Sequence, residues 1–215
     1  MKYDLIIFDL DGTILDTLQD LTDACNEALA KHGFAARTAE EVRTFIGSGV
    51  ANLIRLALPE GAEAYHSRVL ADFKEYYFSH VNIKTAPYPG IAGLLVKIRA
   101  AGIHVAVNSN KIDPATRALC EAHFPDTVEY ALGERPEIEK KPSPSGAKHI
   151  MEHFGTEADR TLYVGDSDTD LLTAENAGLD CAWVSWGFRR LHELEGLRIP
   201  HAFDSIEALE SFILS

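Results

Sequence analysis

Short, predominantly apolar runs alternate with longer amphipathic stretches along the chain. A run of four or five such residues is typical of a strand that is buried on both faces of a parallel sheet. Runs of this kind occupy positions 5–8, 103–107, 161–164 and 181–184. They predict strands of one parallel sheet.

Helical periodicity lies between these runs. Apolar residues repeat at helical spacing over positions 91–98 and 171–177, and a glycine follows each stretch as a stop. The alternation of strand and helix predicts an α/β fold with a doubly wound parallel sheet.

The segment from position 14 to position 85 breaks this alternation. It carries helical stripes over 18–29, 42–57 and 69–77 and no strand pattern, and the Pro and Gly residues at 87–90 mark its end. We therefore predict a small helical cap domain, residues 14–85, inserted after the first strand. The α/β core comprises residues 1–13 and 86–215.

Charge restricts the partners of the protein. The 215 residues include 33 acids and 20 bases, for a net charge of −13. This charge repels nucleic acids and anionic membranes, so an anionic substrate requires a bound cation or well-placed lysines.

Asp9 and Asp11 interrupt the first apolar run, which excludes a signal peptide or membrane span there and favours a cytoplasmic protein. The sparse cysteines, which we expect to be buried, are Cys25, Cys120 and Cys181.

Polar clusters follow the predicted strands or precede a helix. They occupy positions 9–13, 108–111, 140–144 and 165–170. Ligands of open α/β sheets bind outside the carboxyl ends of the strands, so we expect these clusters to meet at one edge.

The first cluster pairs Asp9 with Asp11. One carboxylate can attack phosphorus and form an aspartyl-phosphate, while the second protonates the leaving oxygen and then activates water. Gly12 allows a tight turn, and Thr13 can donate to a phosphate. The alternative is a turn with solvated carboxylates.

The acidic cluster supplies candidate ligands for a hard cation. Asp166 can share Mg²⁺ with Asp9, and Asp170, one helical turn later, can face the same side, whereas Asp168 cannot. The alternative is a helix N-terminus rich in acids, which the helix dipole favours.

Phosphate donors come from the remaining clusters. Ser109 and Asn110 can hydrogen-bond phosphoryl oxygens, and Lys141 can neutralise the transferring group. The alternatives are a helix-capping loop at 109–110 and an exposed lysine in a proline turn. We assign Lys140 to solvent.

Together these clusters, in this order and spacing, resemble the motifs of the haloacid dehalogenase superfamily, and the helical insertion resembles its small cap. The resemblance implies that Asp9 is the nucleophile and Asp11 the acid/base. It implies that Asp9, the main-chain carbonyl of Asp11 and Asp166 bind Mg²⁺, with support from Asp170, and that Ser109 and Lys141 bind phosphate.

Within the superfamily the chain looks most like the phosphoglycolate phosphatase group. Positions 45–50 resemble that group's cap loop, so the resemblance implies that Gly47 and Ser48 read the leaving group; the alternative for 47–49 is a plain helix-helix turn. Lys111 completes a motif similar to the group's Thr-Asn-Lys, although a surface lysine is the alternative. Asp16 either orients the hinge into the cap or caps the helix that starts near Leu18.

The resulting expectation is a Mg²⁺-dependent phosphatase that hydrolyses a small, phosphoglycolate-like metabolite through an aspartyl-phosphate. Two alternatives stay open: a phosphosugar mutase of the beta-phosphoglucomutase type, and a non-catalytic phospholigand-binding protein. We expect no nucleic-acid or membrane partner, and a monomer or homodimer.

Overall fold

The computed structural model describes residues 2–215. Six parallel strands of this part of the chain form one sheet in the order β5-β4-β1-β6-β7-β8, and β2 pairs antiparallel with β3. The strands are β1 (Leu5–Phe8), β2 (Leu15–Asp16), β3 (Ala86–Pro87), β4 (His104–Ile112), β5 (Tyr130–Glu134), β6 (Thr161–Gly165), β7 (Asp180–Val184) and β8 (His201–Phe203). The predicted doubly wound α/β fold is confirmed.

Helices lie between the strands and in the segment between β2 and β3. They are α1 (Leu18–Lys31), α2 (Ala39–Phe45), α3 (Val50–Ala57), α4 (His66–His80), α5 (Ile91–Ala100), α6 (Asp113–His123), α7 (Ser145–Phe154), α8 (Asp168–Ala177) and α9 (Ile206–Leu214). Short 3-10 turns occupy Glu63–Tyr65, Ala158–Arg160 and Leu191–Leu194.

The central strand β1 is apolar and buried along its whole length. Its side chains alternate between two clusters: Ile6 and Phe8 join the core on one side of the sheet, and Leu5 and Ile7 join the core on the other. Helices cover both faces of the sheet, so every position of β1 is apolar and the first polar residue, Asp9, lies beyond its end.

A third apolar cluster lies among helices α1 to α4. The short β2-β3 ribbon is the passage in and out of this helical segment. Asp16 lies in that ribbon, and its carboxylate accepts from the Leu18 N–H at 3.2 Å, so it also caps the first turn of α1. We propose the division into residues 14–85 as cap and 1–13 with 86–215 as core.

The structure adds strands that the apolar pattern did not predict. β5 and β8 are the two edges of the sheet. β5 has only two buried positions, Leu132 and Gly133, and β8 has none, so neither strand shows a run of four buried apolar residues. β4 is also longer than predicted, because it continues beyond Val107 through the polar residues to Ile112.

Other expectations can be compared directly with the structure. The three cysteines are buried and unpaired, as predicted. Among residues 2–215, none of the helices is long and apolar enough to span a membrane.

Candidate active site

Parallel pairing brings the ends of three strands together. Phe8 is in register with Val107 of β4 and with Val164 of β6. The residues that follow, Asp9 and Asp166 among them, therefore share one edge of the sheet, as the strand-end rule predicts.

A buried lysine joins two carboxylates at this edge. Lys141 Nζ donates to Oδ1 of Asp9 at 2.7 Å and to Oδ1 of Asp170 at 2.7 Å. Burial alone lowers the pKa of a lysine, but Asp170 and Asp9 outweigh it and raise the pKa of Lys141 well above its ordinary value. Lys141 is thus a permanent positive charge beside Asp9, and the alternative of an exposed lysine is wrong.

Asp9 lies in a crowded, largely dehydrated site. Burial raises its pKa well above the ordinary value; Lys141 opposes this shift, and the carboxylates of Asp170 and Asp166 add to it. The carboxylate oxygens of Asp9, Asp166 and Asp170 come within 4.8 Å of one another. Three acids around one ammonium leave an excess of two negative charges, which favours either a proton or a cation in the site.

Neighbouring segments fix the orientation of Asp166. Its Oδ1 accepts from the Thr13 hydroxyl at 3.0 Å, and its Oδ2 accepts from the Phe188 N–H at 2.6 Å. Burial, then Asp170, raises the pKa of Asp166 to about 7 against these two hydrogen bonds. Trp183 Nε1 donates to the main-chain oxygen of Asp166 at 2.8 Å. Hydrogen bonds therefore fix both the backbone and the side chain of Asp166.

Asp170 is engaged at both oxygens. Oδ1 accepts from Lys141, and Oδ2 accepts from the backbone and the hydroxyl of Ser167 at 3.1 and 2.6 Å, in a capping box at the start of α8. The alternative of a carboxylate-rich helix start is therefore also correct for this residue. Asp170 therefore holds the Lys141 ammonium in place, while its own charge raises the pKa of Asp9 and of Asp166.

The second acid of the first cluster has partners of its own. Lys111 Nζ lies 2.9 Å from Oδ1 and 3.0 Å from Oδ2 of Asp11, and the Thr17 hydroxyl donates to Oδ1 at 2.6 Å. The Lys111 side chain is only 1% exposed, so the alternative of a surface lysine is wrong. Burial lowers the pKa of such an ammonium, but Asp11 outweighs it and the pKa of Lys111 lies above its ordinary value.

Asn110 is used to hold two loops. Its Nδ2 donates to the main-chain oxygens of Gly47 at 2.9 Å and Lys141 at 3.0 Å, and its Oδ1 accepts from the Lys141 N–H at 2.9 Å. Because these bonds occupy its side-chain amide, Asn110 joins the cap loop to the lysine loop, and a phosphate contact by this residue would have to come from its main-chain N–H. The hydroxyl oxygen of Ser109 accepts from the Lys111 N–H at 3.2 Å, which leaves its proton available to a ligand.

These residues surround one cavity between core and cap. Residues of the core line one side of the cavity, and residues of the cap line the other. The core contributes acids and donors, and the cap contributes an apolar wall. The lining residues are Asp9, Asp11, Leu21, Ile46, Gly47, Gly49, Val50, Leu53, Ser109, Asn110, Lys111, Lys141, Asp166, Ser167, Phe188 and Arg189.

Some predicted ligand-binding residues lie elsewhere. Ser48 is exposed and outside the lining, because the loop turns its two glycine neighbours inward. Thr13 is fully buried and commits its hydroxyl to Asp166. Gly12 is also outside the lining: a Cβ there would lie 2.6 Å from Asp166 Oδ2, so the glycine gives that carboxylate room.

The loop after β7 is a part of the site that the sequence reasoning missed. Arg189 Nε donates to Asp168 at 3.1 Å, and its two terminal nitrogens donate to the main-chain oxygens of Arg43 and Ile46 at 3.2 and 2.7 Å. Arg43, from the cap, pairs with Glu193 at 3.0 and 3.1 Å and donates to the main-chain oxygen of Phe188. This loop follows the fourth apolar run, so the strand-end rule, applied there as well, would have found it.

The donor set fits a divalent cation. Mg²⁺ prefers hard oxygen ligands, one or two of them carboxylates, with the remaining positions taken by water and substrate. Asp9 and Asp166 offer such oxygens, and the excess negative charge of the site matches a double positive charge.

Known proteins share this architecture. A family model described as haloacid dehalogenase-like hydrolase matches residues 6–184. A phosphoglycolate phosphatase from Mesorhizobium japonicum is 32% identical over 217 residues, which cover 96% of this chain and 94% of the relative. A solved structure from Lactobacillus delbrueckii subsp. bulgaricus, provisionally assigned as a phosphoglycolate phosphatase, matches with a TM-score of 0.93 and 38% identity over 100% of both chains.

A more distant neighbour was solved with a ligand. CbbY from Rhodobacter sphaeroides, in complex with phosphate, matches with a TM-score of 0.73 and 28% identity over 94% of each chain. Sequence and fold agree over nearly the whole length, so the chain belongs to the haloacid dehalogenase-like hydrolase family and is a phosphatase of the phosphoglycolate phosphatase-like group.

Proposed function

We propose that this protein is a Mg²⁺-dependent phosphatase that hydrolyses a small phosphoglycolate-like monoester through a phosphoryl group carried on Asp9. The observation that carries the proposal is the position of the Asp9 carboxylate. It lies at the end of a buried strand, faces a cavity closed by the cap, and has the Lys141 ammonium at 2.7 Å and Asp11 in the same wall.

The first half of the reaction transfers the phosphoryl group. An oxygen of Asp9 attacks phosphorus as the bond between phosphorus and the leaving oxygen breaks. Asp11 donates the proton that converts the leaving oxygen to a hydroxyl. Lys141 and the Ser109 hydroxyl stabilise the charge on the phosphoryl oxygens.

The second half returns the enzyme to its starting state. Asp11, now a carboxylate, takes a proton from water, whose oxygen attacks phosphorus and releases Asp9 and inorganic phosphate. The cap residues Leu21, Val50 and Leu53 form an apolar wall over the site. Exclusion of bulk water behind this wall strengthens each electrostatic interaction inside.

Mg²⁺ would be held by Asp9, Asp166 and the main-chain carbonyl of Asp11, with Asp170 fixing the neighbouring lysine. When bound, it supplies positive charge that permits two anions, the phosphate and Asp9, to approach. Thr13 and Phe188 hold the Asp166 carboxylate in one orientation before any ligand arrives.

The substrate class is supported by the named relatives. Relatives that match along the whole chain are named phosphoglycolate phosphatases. The mutase is the second candidate, and the ratio of phosphate release to isomerisation distinguishes the two.

A phosphate-release assay tests the proposal. We expect purified protein with Mg²⁺ to release phosphate from phosphoglycolate faster than from glucose phosphates, and EDTA to abolish release. Phosphate release from none of these substrates would contradict a phosphatase. Isomerisation of glucose 1-phosphate in the presence of a bisphosphate, with little free phosphate, would instead identify a mutase.

A further inference from the structure

A buried ammonium lies on the leaving-group side of the site. Lys111, on β4, is 4% exposed. Its Nζ contacts both oxygens of Asp11 and lies 5.0 Å from the centre of the Tyr77 ring. Burial of an ammonium is costly unless it is paired, so these contacts hold it in one place.

The leaving group has to lie next to this lysine. Asp11 exchanges a proton with the leaving oxygen, so that oxygen comes within about 2.6–3.2 Å of the Asp11 carboxylate. Lys111 touches the same carboxylate at 2.9 and 3.0 Å. Atoms one or two bonds beyond the leaving oxygen are therefore within reach of Nζ.

The other cations of the cavity have different partners. Lys141 is held between Asp9 and Asp170, beside the transferring phosphoryl group. Arg189 donates from all three of its nitrogens, to Asp168 and to two cap carbonyls. Lys111 has three donors, and Asp11 offers it two oxygens. The nearby Tyr77 hydroxyl has no hydrogen-bond partner among residues 2–215, so it does not occupy the third donor, which can serve a ligand.

We infer that Lys111 is a specificity-determining residue that binds an anionic group, such as a carboxylate, on the leaving group of the substrate. The inference rests on the proposed function, because it names the part of that substrate that the enzyme reads. The apolar cap wall increases the discrimination between anionic and neutral leaving groups. Beside this wall an anionic group is costly to bury unless a cation pairs with it, whereas a neutral group gains little from the cation.

Two substrates of equal length isolate this contact. Phosphoglycolate carries a carboxylate where 2-hydroxyethyl phosphate carries a neutral hydroxymethyl group, and both have the same phosphate. Removal of one partner of a buried charge pair costs 2 kcal/mol or more, so we expect the wild type to prefer phosphoglycolate in kcat/KM by at least about 30-fold.

Matched variants locate the preference. Lys111→Met is expected to reduce the ratio of the two kcat/KM values to about threefold or less, and Lys111→Arg to keep about tenfold or more, because it keeps the charge. Lys148→Met removes an exposed lysine of α7 and should leave the ratio at the wild-type value. Arg189→Met should also keep the ratio, although it weakens the cap contacts.

The ratio of the two kcat/KM values distinguishes loss of substrate recognition from a general loss of activity. A lysine that merely supports the fold or Asp11 would lower both kcat/KM values together in Lys111→Met, and the unchanged ratio would overturn the inference. Loss of the ratio in Arg189→Met alone would overturn it as well. If Lys111→Met does not fold, Lys111→Gln takes its place. Failure of the wild type to hydrolyse phosphoglycolate would contradict the proposed function itself, which is a different result.

Discussion

The Asp9 carboxylate meets two requirements of a nucleophile, a fixed position and a neighbouring positive charge. We predict that Asp9→Asn lowers kcat at least about a thousandfold, because an amide cannot carry the phosphoryl group. Unfolding by urea and steady-state assay of the same preparation check this prediction. Asp126→Asn, at an exposed turn, serves as the control and should retain full activity. A tenth of the wild-type activity in Asp9→Asn would remove Asp9 from this role.

Ionisation of the buried Asp166 carboxylate costs free energy, and a bound cation would lower that cost. Burial raises its pKa to about 7, so the folded state binds this proton more tightly than the unfolded state. The metal-free protein therefore loses stability as the pH rises from about 4 to about 7, and above that the ionised form carries the full cost. A cation that binds only the folded state adds about 2.7 kcal/mol at 100 times its dissociation constant.

We predict that Mg²⁺ at pH 8 raises the Tm of the wild type, whereas NaCl of equal ionic strength does not. The Asp166→Asn variant, free of metal, should be at least as stable as the metal-free wild type and should lose most of the rise. Thermal unfolding monitored by circular dichroism measures both. A full rise in the variant would move the cation to other ligands.

The segment from Ser185 to Arg190 connects cap and core through its backbone. Phe188 donates its N–H to Asp166 and accepts from Arg43 of α2. Gly187 makes this close approach possible, since a Cβ there would lie 2.3 Å from Asp166 Cβ and 2.4 Å from the Gly12 oxygen. The loop thus ties the position of a proposed metal ligand to that of a cap helix.

We predict that Gly187→Ala destabilises the protein by about 1–3 kcal/mol through overpacking and lowers kcat/KM at least about tenfold. Gly93→Ala is the matched control. Gly93 is exposed in α5 with open space around its Cβ position, so alanine there should stabilise the helix by roughly 0.5–1 kcal/mol. Urea unfolding measures the stability of the two variants, and steady-state assay measures their kcat/KM. Equal behaviour would show that the loop adapts without moving Asp166.

An ion pair between residues far apart in the sequence, Arg43 of the cap and Glu193 of the core, joins the two parts of the molecule. Arg43 holds Glu193, and this hydrogen bond is the main cause that lowers the pKa of Glu193 to about 2. Because the pKa of Glu193 is lowered in the folded state, the pair contributes its full stabilisation at pH values above the ordinary glutamate pKa of about 4.3. Its contribution is lost as the pH falls towards 2.

We predict that Glu193→Gln lowers the free energy of unfolding by about 1 kcal/mol at pH 6, because solvent screens this partly exposed pair, and by much less at pH 2.5. Urea titrations at the two pH values measure the difference between variant and wild type. Lys97 and Glu210 form an exposed pair on the core, so Glu210→Gln is the control and should have a smaller effect at pH 6. A difference for Glu193→Gln that does not change with pH would mean that its charge is not what holds the cap.

Much of the site could be predicted from the sequence, because its signals are local. The buried run of β1 followed by Asp9 and Asp11, and the acids that follow β6, mark strand ends without any tertiary information. The apolar pattern failed to predict the edge strands, since β5 has only two buried positions and β8 has none, so neither shows a run of four buried apolar residues.

What a polar residue does at the site depended on partners far away in the chain. Lys111 reads equally well as a surface lysine until Asp11, a hundred residues earlier, is found beside it. Asn110 has the right chemistry for phosphate, yet its amide is used by the loops of Gly47 and Lys141. Local patterns determine which side chains reach the strand ends, whereas the packing of cap on core determines which hydrogen bonds remain free, because that depends on distances between segments with no fixed spacing in sequence.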